Sequence, residues 1–194
     1  MRLFITVLVL IFSLKSFSKA DDISDFEIEG MSIGDSALDF FSEEFLLSSK
    51  GYSWDNKMFA LSNGKSKNQD FFKYWQLYYL DKDPKYIIHF ISGYTDINNL
   101  EDCNKNKIRL VEDIKAIAPN ARLNDLGKTP HPGDPSGKSM AYKFQFHFED
   151  EGLIMVTCTI YTEDYKNKYN LLDNLSVSAH SKEFSKFLLN EAYK

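Results

Sequence analysis

The sequence predicts an α+β fold: a two-layer arrangement with one antiparallel sheet of about six or seven strands, about three packed helices and one disulfide. Three observations carry this expectation. Runs that alternate apolar and polar residues recur along the chain, most clearly over 139–149 and 153–162. Groups of these runs are separated by segments with apolar residues at three- and four-residue steps, the period of a helix. Only two cysteines are present, Cys103 and Cys158, one in each kind of pattern. Hairpins alternating with single helices bury their apolar faces as a sheet with helices packed against it.

The first twenty residues read differently from the rest. Arg2 precedes a run from Leu3 to Leu14 that is apolar except for Thr6 and Ser13, and Ser18 and Ala20 place small residues before a cleavage point. This is the pattern of a secretory signal peptide. The run is shorter than the about 20 apolar residues a membrane span needs. The expectation is a signal segment over 1–20, cleavage near Ala20, and a single α+β domain over 21–194 in the periplasm or outside the cell.

The mature chain opens with an acidic short strand or extended lead-in over 21–30, broken by Gly30-Met31-Ser32-Ile33-Gly34-Asp35. Ser32 or Asp35 is placed to cap a helix over 36–47, with Leu38, Phe41 and Phe45 inward and Asp39, Glu43 and Glu44 outward. A weak strand follows over 57–62, then a turn over 63–68. Residues 71–80 put Trp75, Leu77 and Tyr79 on one strand face. With 86–94 across the turn at 81–85 they form an antiparallel hairpin. Asn98 or Asn99 caps a second helix that Pro119-Asn120 ends. Beyond it come a strand over 121–126 and a loop over 127–138 with three prolines and three glycines. The strand over 139–149 carries Tyr142, Phe144, Phe146 and Phe148 on one face and Lys143, Gln145 and His147 on the other. A turn leads into 153–162, a last strand spans 172–178, and Ser181 opens a C-terminal helix with Phe184, Phe187 and Leu188. The helix-then-strands unit occurs twice, without residue-level similarity between the halves.

The cysteines fall on the inward side of both patterns. Leu100, Cys103, Lys107, Leu110, Ile114 and Ile117 recur at helical steps, with Lys107 the one polar interruption. Ile154, Val156, Cys158 and Ile160 share one strand face. A helix packed on that face brings the two sulfurs together, and two thiols in an exported chain form a bridge in an oxidising compartment. The alternative is a pair of buried free thiols.

Composition sets further bounds. The chain is 43% hydrophobic and 15% aromatic, enough to build a packed core. Removing Arg2, Lys15 and Lys19 from the 23 basic residues leaves 20 against 28 acidic ones, a mature net charge of −8. That balance argues against nucleic acid as partner and against attachment to anionic lipid. No run after residue 20 is long enough for stable membrane insertion.

No assembled catalytic motif is present. His89, His131, His147 and His180 lie on separate elements, and none stands at a metal-ligand spacing. His131 and Asp134 lie in the loop over 127–138, where binding residues are often placed. Gly34-Asp35-Ser36 is similar to the nucleophile block of some esterases but reads better as a helix cap, since no acid stands where it would orient His180. The reading is a soluble, exported, non-catalytic binding or envelope-associated module without cofactor or metal. Its partner would be an envelope protein or a small ligand, held on the sheet or against the 127–138 loop that carries His131 and Asp134. The alternative is a hydrolase that uses Ser36 or His131.

Residues 23–36 (Ile-Ser-Asp-Phe-Glu-Ile-Glu-Gly-Met-Ser-Ile-Gly-Asp-Ser), followed by Phe40-Phe41-Ser42-Glu43-Glu44, resemble the start of a group of small exported proteins of marine alphaproteobacteria. Glu101-Asp102-Cys103 and Ser181-Lys182-Glu183-Phe184 look like later elements of that group. This resemblance implies export to the periplasm and brings no activity. Ile28-Glu29-Gly30-Met31-Ser32 is also similar to the turn that opens a helix in the SmpA/OmlA outer-membrane assembly lipoproteins. That match covers about twenty residues, and the lipid-bearing cysteine of that family is missing here.

Overall fold

A computed structural model describes residues 21–193 apart from positions 68 and 70. The predicted signal segment lies outside the described residues. The described residues form seven strands and four α-helices. The strands are β1 (Phe59–Lys65), β2 (Tyr74–Leu80), β3 (Ile88–Asp96), β4 (Arg122–Pro130), β5 (Met140–His147), β6 (Leu153–Ile160) and β7 (Asn174–His180). The helices are α1 (Glu43–Ser48), α2 (Leu100–Ile117), α3 (Glu163–Tyr169) and α4 (Lys182–Asn190). All strands join one sheet in the order β1-β2-β3-β7-β6-β5-β4, with every neighbouring pair antiparallel. The predicted α+β fold with one antiparallel sheet is therefore observed.

The topology explains the order. A first meander builds β1 to β3. The α2 crossover then carries the chain to the far edge at β4. A second meander returns it, so that β7 closes against β3. Helix α2 crosses the sheet over β6 and β7.

Asn99 caps α2 by accepting a hydrogen bond from the Asp102 backbone N–H at 2.8 Å. Glu101 and Asp102 occupy the first turn, where acids suit the helix dipole. The helix buries Cys103, Lys107, Val111 and Ile114. The predicted stripe is thus correct at its start and centre. Leu110 is half-buried against the same core, and Val111 beside it is buried, so the inward stripe is wider there than read. Lys107 lies under the helix with its ammonium 5.6 and 5.3 Å from the ring centroids of Tyr142 and Phe144. Cation–π contact offsets part of the cost of burying that charge.

The first sheet face, under α2, carries Leu77, Ile91, Ala179, Ile154 and Phe146 in one cross-strand row and Trp75, Val177 and Val156 in the next. The N-terminal segment completes this core with Ile23, Ile28, Met31, Ala37 and Leu46. That segment corrects one expectation. The helix predicted over 36–47 is broken: Ser36 caps a single 3-10 turn at Ala37–Asp39, and Ser42 caps α1. The Ala37 N–H donates to Tyr86 O, which ties the chain to the start of β3. The break lets Phe41 stack on Trp75 at 4.7 Å.

Three further elements differ from the sequence reading. Asn63-Gly64-Lys65, read as a turn, belong to β1. A side chain at Gly64 would begin 2.7 Å from the Trp75 ring, so the glycine is there for close approach and not for turning. Strand β4 runs on to Pro130 through a bulge between Asp125 and Gly127, where Gly127 has φ +57°. The loop expected over 127–138 is correspondingly shorter. Helix α3 went unread, although Thr162 caps it, acids fill its first turn, and left-handed Asn170 ends it.

Cys103 and Cys158 form the predicted disulfide, with Cα atoms 6.0 Å apart. Both residues are fully buried. Among the described residues, no helix is long and apolar enough to cross a membrane.

Helix α4 packs on the opposite sheet face, over β1 to β3. Ser181 caps it by accepting from the Phe184 N–H at 3.1 Å. Phe184 and Phe187 join Phe59 and Tyr78 in a second, separate apolar cluster, with Trp54 and Phe90 against it.

Candidate functional site

Strand pairing fixes what the rest of that second face displays. One row across five strands reads Lys143, Thr157, Ser176, Tyr94, Tyr74. The adjacent row reads Gln145, Met155, Ser178, Ser92, Gln76. Alternation along each strand puts these side chains opposite the α2 core. Neither apolar cluster includes them. Ser92 and Ser178 are buried, and the other eight are half-buried.

Few of these groups satisfy one another. Among the described residues, the two rows make two side-chain hydrogen bonds: Gln76 donates to Tyr78 OH at 3.5 Å, and Ser178 pairs with His180 Nε2 at 2.8 Å. Lys143 takes part in none of the ion pairs among the described residues. Burial holds its ammonium below the usual lysine range. The rings of Tyr74 and Tyr94 stack at 5.3 Å.

Two structures flank the rows. On one side stands α4. On the other stand Tyr161, Tyr165 and Tyr169, in ring contact in sequence, with His131 5.2 Å from Tyr161. Tyr165 OH donates to Gly133 O at 2.7 Å, which clamps the 131–139 loop against α3.

The predicted site residues are found in different settings. The His131 Nδ1 accepts from the Gly133 N–H at 3.2 Å, and burial with nearby Lys143 keeps the ring below its ordinary pKa. Asp134 is buried, and its carboxylate is occupied by the loop itself. It accepts from the backbone N–H of Ser136 and Ser139 and from the Ser139 hydroxyl. These donors hold its carboxyl well below the usual range. Asp134 therefore braces the loop and has little acceptor capacity left for a ligand. Ser36 donates to Lys85 O at 2.7 Å and caps Leu38, so its hydroxyl is structural. It pairs with Ile87 at the start of β3, whereas His131 follows the end of β4. Four strand spacings separate β3 from β4, about 19 Å. The structure does not bring the two together.

The other histidines line the second face. His89 Nδ1 lies 3.0 Å from the Ser181 hydroxyl at the α4 cap. His147 occupies a half-buried position with Nε2 enclosed and unpartnered among the described residues. His180 is buried beside Phe90 and Phe184, with Nδ1 unpartnered among the described residues. Burial, aided by Lys143, lowers its pKa to about 3. The residues that sequence reasoning missed are Lys143, Thr157, Ser176 and Tyr94. Their signal was present: the polar sides of these strands carry hydroxyls, amides and tyrosines with Lys143 as the one charge in the two rows, where a fully solvated face would carry many.

His180 has a measurable consequence. A histidine with a lowered folded pKa favours the unfolded chain once pH falls below the unfolded value near 6.5. Its contribution to stability is complete above that pH and is lost progressively down to the folded pKa. Urea unfolding of native protein and His180→Gln at a series of pH values should diverge by about 1.4 kcal/mol per pH unit across this window. Parallel curves would show that His180 titrates normally.

Two clefts lie elsewhere, one of about 320 Å³ between Asp96, Asn98 and Lys105, and one of about 290 Å³ between Asp21, Asn120 and Phe148. Among the described residues, no cluster of three His, Cys, Asp or Glu side chains is arranged to hold a metal. Comparisons with protein-family models, curated proteins and solved structures return no match.

Proposed function

We propose that this chain is an exported, non-catalytic binding module whose ligand lies on the second face of the sheet, between α3 and α4. The observation that carries the reading is the pair of half-buried polar rows whose donors and acceptors are largely unspent on one another. Side chains of this kind on a rigid sheet are held ready for a partner or for water. The 131–139 loop, braced by Asp134, forms one wall and does not itself grip the ligand.

Two experiments test this. Amide NMR of labelled protein against a library of small polar metabolites should give shifts that cluster on β5, β6, β7 and β3 around Thr157 and Ser176. Shifts confined to the two clefts would overturn the assignment of the face. A hydrolase screen should find no turnover, and turnover abolished by Ser36→Ala or His131→Ala would replace this reading with an enzyme.

Export is part of the same proposal and rests on the composition of residues 1–20. Mass spectrometry of protein made in a suitable bacterial host should find an N-terminus at or near Asp21. A cytoplasmic species that keeps Met1 as the main form would exclude it.

A further inference from the structure

We infer that the second sheet face binds a short oligosaccharide carrying an acidic group, with the acid on Lys143 and the sugar rings running across Thr157 and Ser176 toward Tyr94 and Tyr74. The inference rests on the binding-face reading and adds the ligand's chemistry.

Four features of the row select this class. First, Lys143 is the one charged side chain in the two rows, and it has no carboxylate partner among the described residues. A half-buried ammonium without a counter-charge is stabilised by an anion that brings its own negative charge. Second, its neighbours are mostly hydroxyls and amides: Thr157 and Ser176 in its own row, and Gln145, Ser178, Ser92 and Gln76 in the next, where Met155 is the one aliphatic member. These match a ligand rich in hydroxyl groups, each of which both donates and accepts. Third, the row ends at the stacked pair Tyr74–Tyr94, whose rings offer a C–H-rich sugar face an electron-rich surface. Fourth, the row is long. Five strands at the usual spacing place Tyr74 about 19 Å from Lys143. That length suits an extended chain of rings held by many weak contacts better than a compact metabolite.

The charge balance excludes neighbouring classes. A strongly polyanionic polymer would meet one cation on a mature chain of net charge −8, and repulsion would outweigh that contact. A second copy of this chain would oppose the same uncompensated lysine across a two-fold axis if the faces met centrally.

The test uses the purified exported protein and a panel of short oligosaccharides of gluco-, galacto- and manno-configuration. Each carries one terminal uronic acid and is paired with its uncharged methyl ester. Calorimetry and amide NMR are read together. The expected result is binding of at least one acid form, with shifts along Lys143, Thr157, Ser176 and Tyr94. Esterification, or Lys143→Met, should weaken that binding about tenfold or more, and added salt should weaken it further. Lys143→Met should leave the melting temperature nearly unchanged, because the lysine makes no ion pair among the described residues. Lys143→Arg should restore part of the affinity. Equal binding of ester and acid on the same face overturns the acidic-ligand inference and leaves the binding face standing. Shifts that depend on protein concentration alone point to self-association and overturn the inference. No binding of any panel member, while unrelated polar metabolites shift the face, overturns the saccharide assignment only. Saccharide-induced shifts away from the face overturn both readings.

Discussion

Cys158→Ala is expected to destabilise the protein by about 4 kcal/mol under oxidising conditions, in the chain-entropy account of a cross-link. The bridge to Cys103 spans 55 residues of sequence, which include the rest of α2, β4, β5 and most of β6. Without it the unfolded chain regains the freedom of a long loop. The folded state also loses a sulfur–sulfur contact at a site where both residues are fully enclosed. Alanine leaves a small void there, which adds to the loss. The effect should appear as a lower urea midpoint. Reduction of native protein under unfolding conditions should reproduce most of it. Because α2 is the helix laid over β6 and β7, exchange protection should fall first in α2. A change below about 1 kcal/mol would mean that residual structure already restrains the unfolded chain without the bridge.

The bridge was legible in the sequence because each cysteine sat on a strong local period. Strand alternation placed Cys158, and helical spacing placed Cys103. The same two periods gave β5, β6, α2 and the α4 cap at Ser181. Failures came where tertiary contact overrode local signals. Gly64 looked like a turn because glycine usually punctuates, yet it lies mid-strand beneath the Trp75 ring. Residues 36–47 had one apolar side, but two capping serines and the tether to Tyr86 split them. The candidate site was hidden for another reason. No stretch of sequence contains it. Lys143, Thr157, Ser176, Tyr94 and Tyr74 come from five strands, and they become neighbours only through the order β2-β3-β7-β6-β5. Alternation tells which side of a strand is polar, but pairing order decides whose polar sides meet. His131 and Asp134 were visible as loop residues, and the structure makes them the bracing of a wall.

Phe184→Ala is expected to cost about 3–5 kcal/mol, the usual range for emptying a large buried aromatic site. Phe184 is 1% exposed, and its ring lies 5.0 Å from both Phe59 and Phe90 and 5.2 Å from Tyr78. These rings belong to the α4 cluster, which is separate from the α2 core. Helix α4 has nine residues, fewer than the about 12–15 an isolated helix needs to persist in water. It is therefore helical because it is docked, and Phe184 is the centre of the dock. The ion pairs of Lys182 and Lys186 with Glu151 are exposed and cannot hold it alone. Hydrogen exchange should show α4 losing protection in the variant while β5, β6 and α2 keep theirs. A second readout follows from His180, whose ring lies 5.7 Å from that of Phe184. Once α4 loosens, water reaches the imidazole, and its pKa should rise from about 3 toward 6.5. NMR titration of the His180 ring between pH 7 and 5 should then show protonation in the variant and none in the native protein. Unchanged α4 protection with a silent His180 would show that the helix is anchored by Phe187 and the Trp54 contact instead. The wall of the proposed binding face would then rest on that pair.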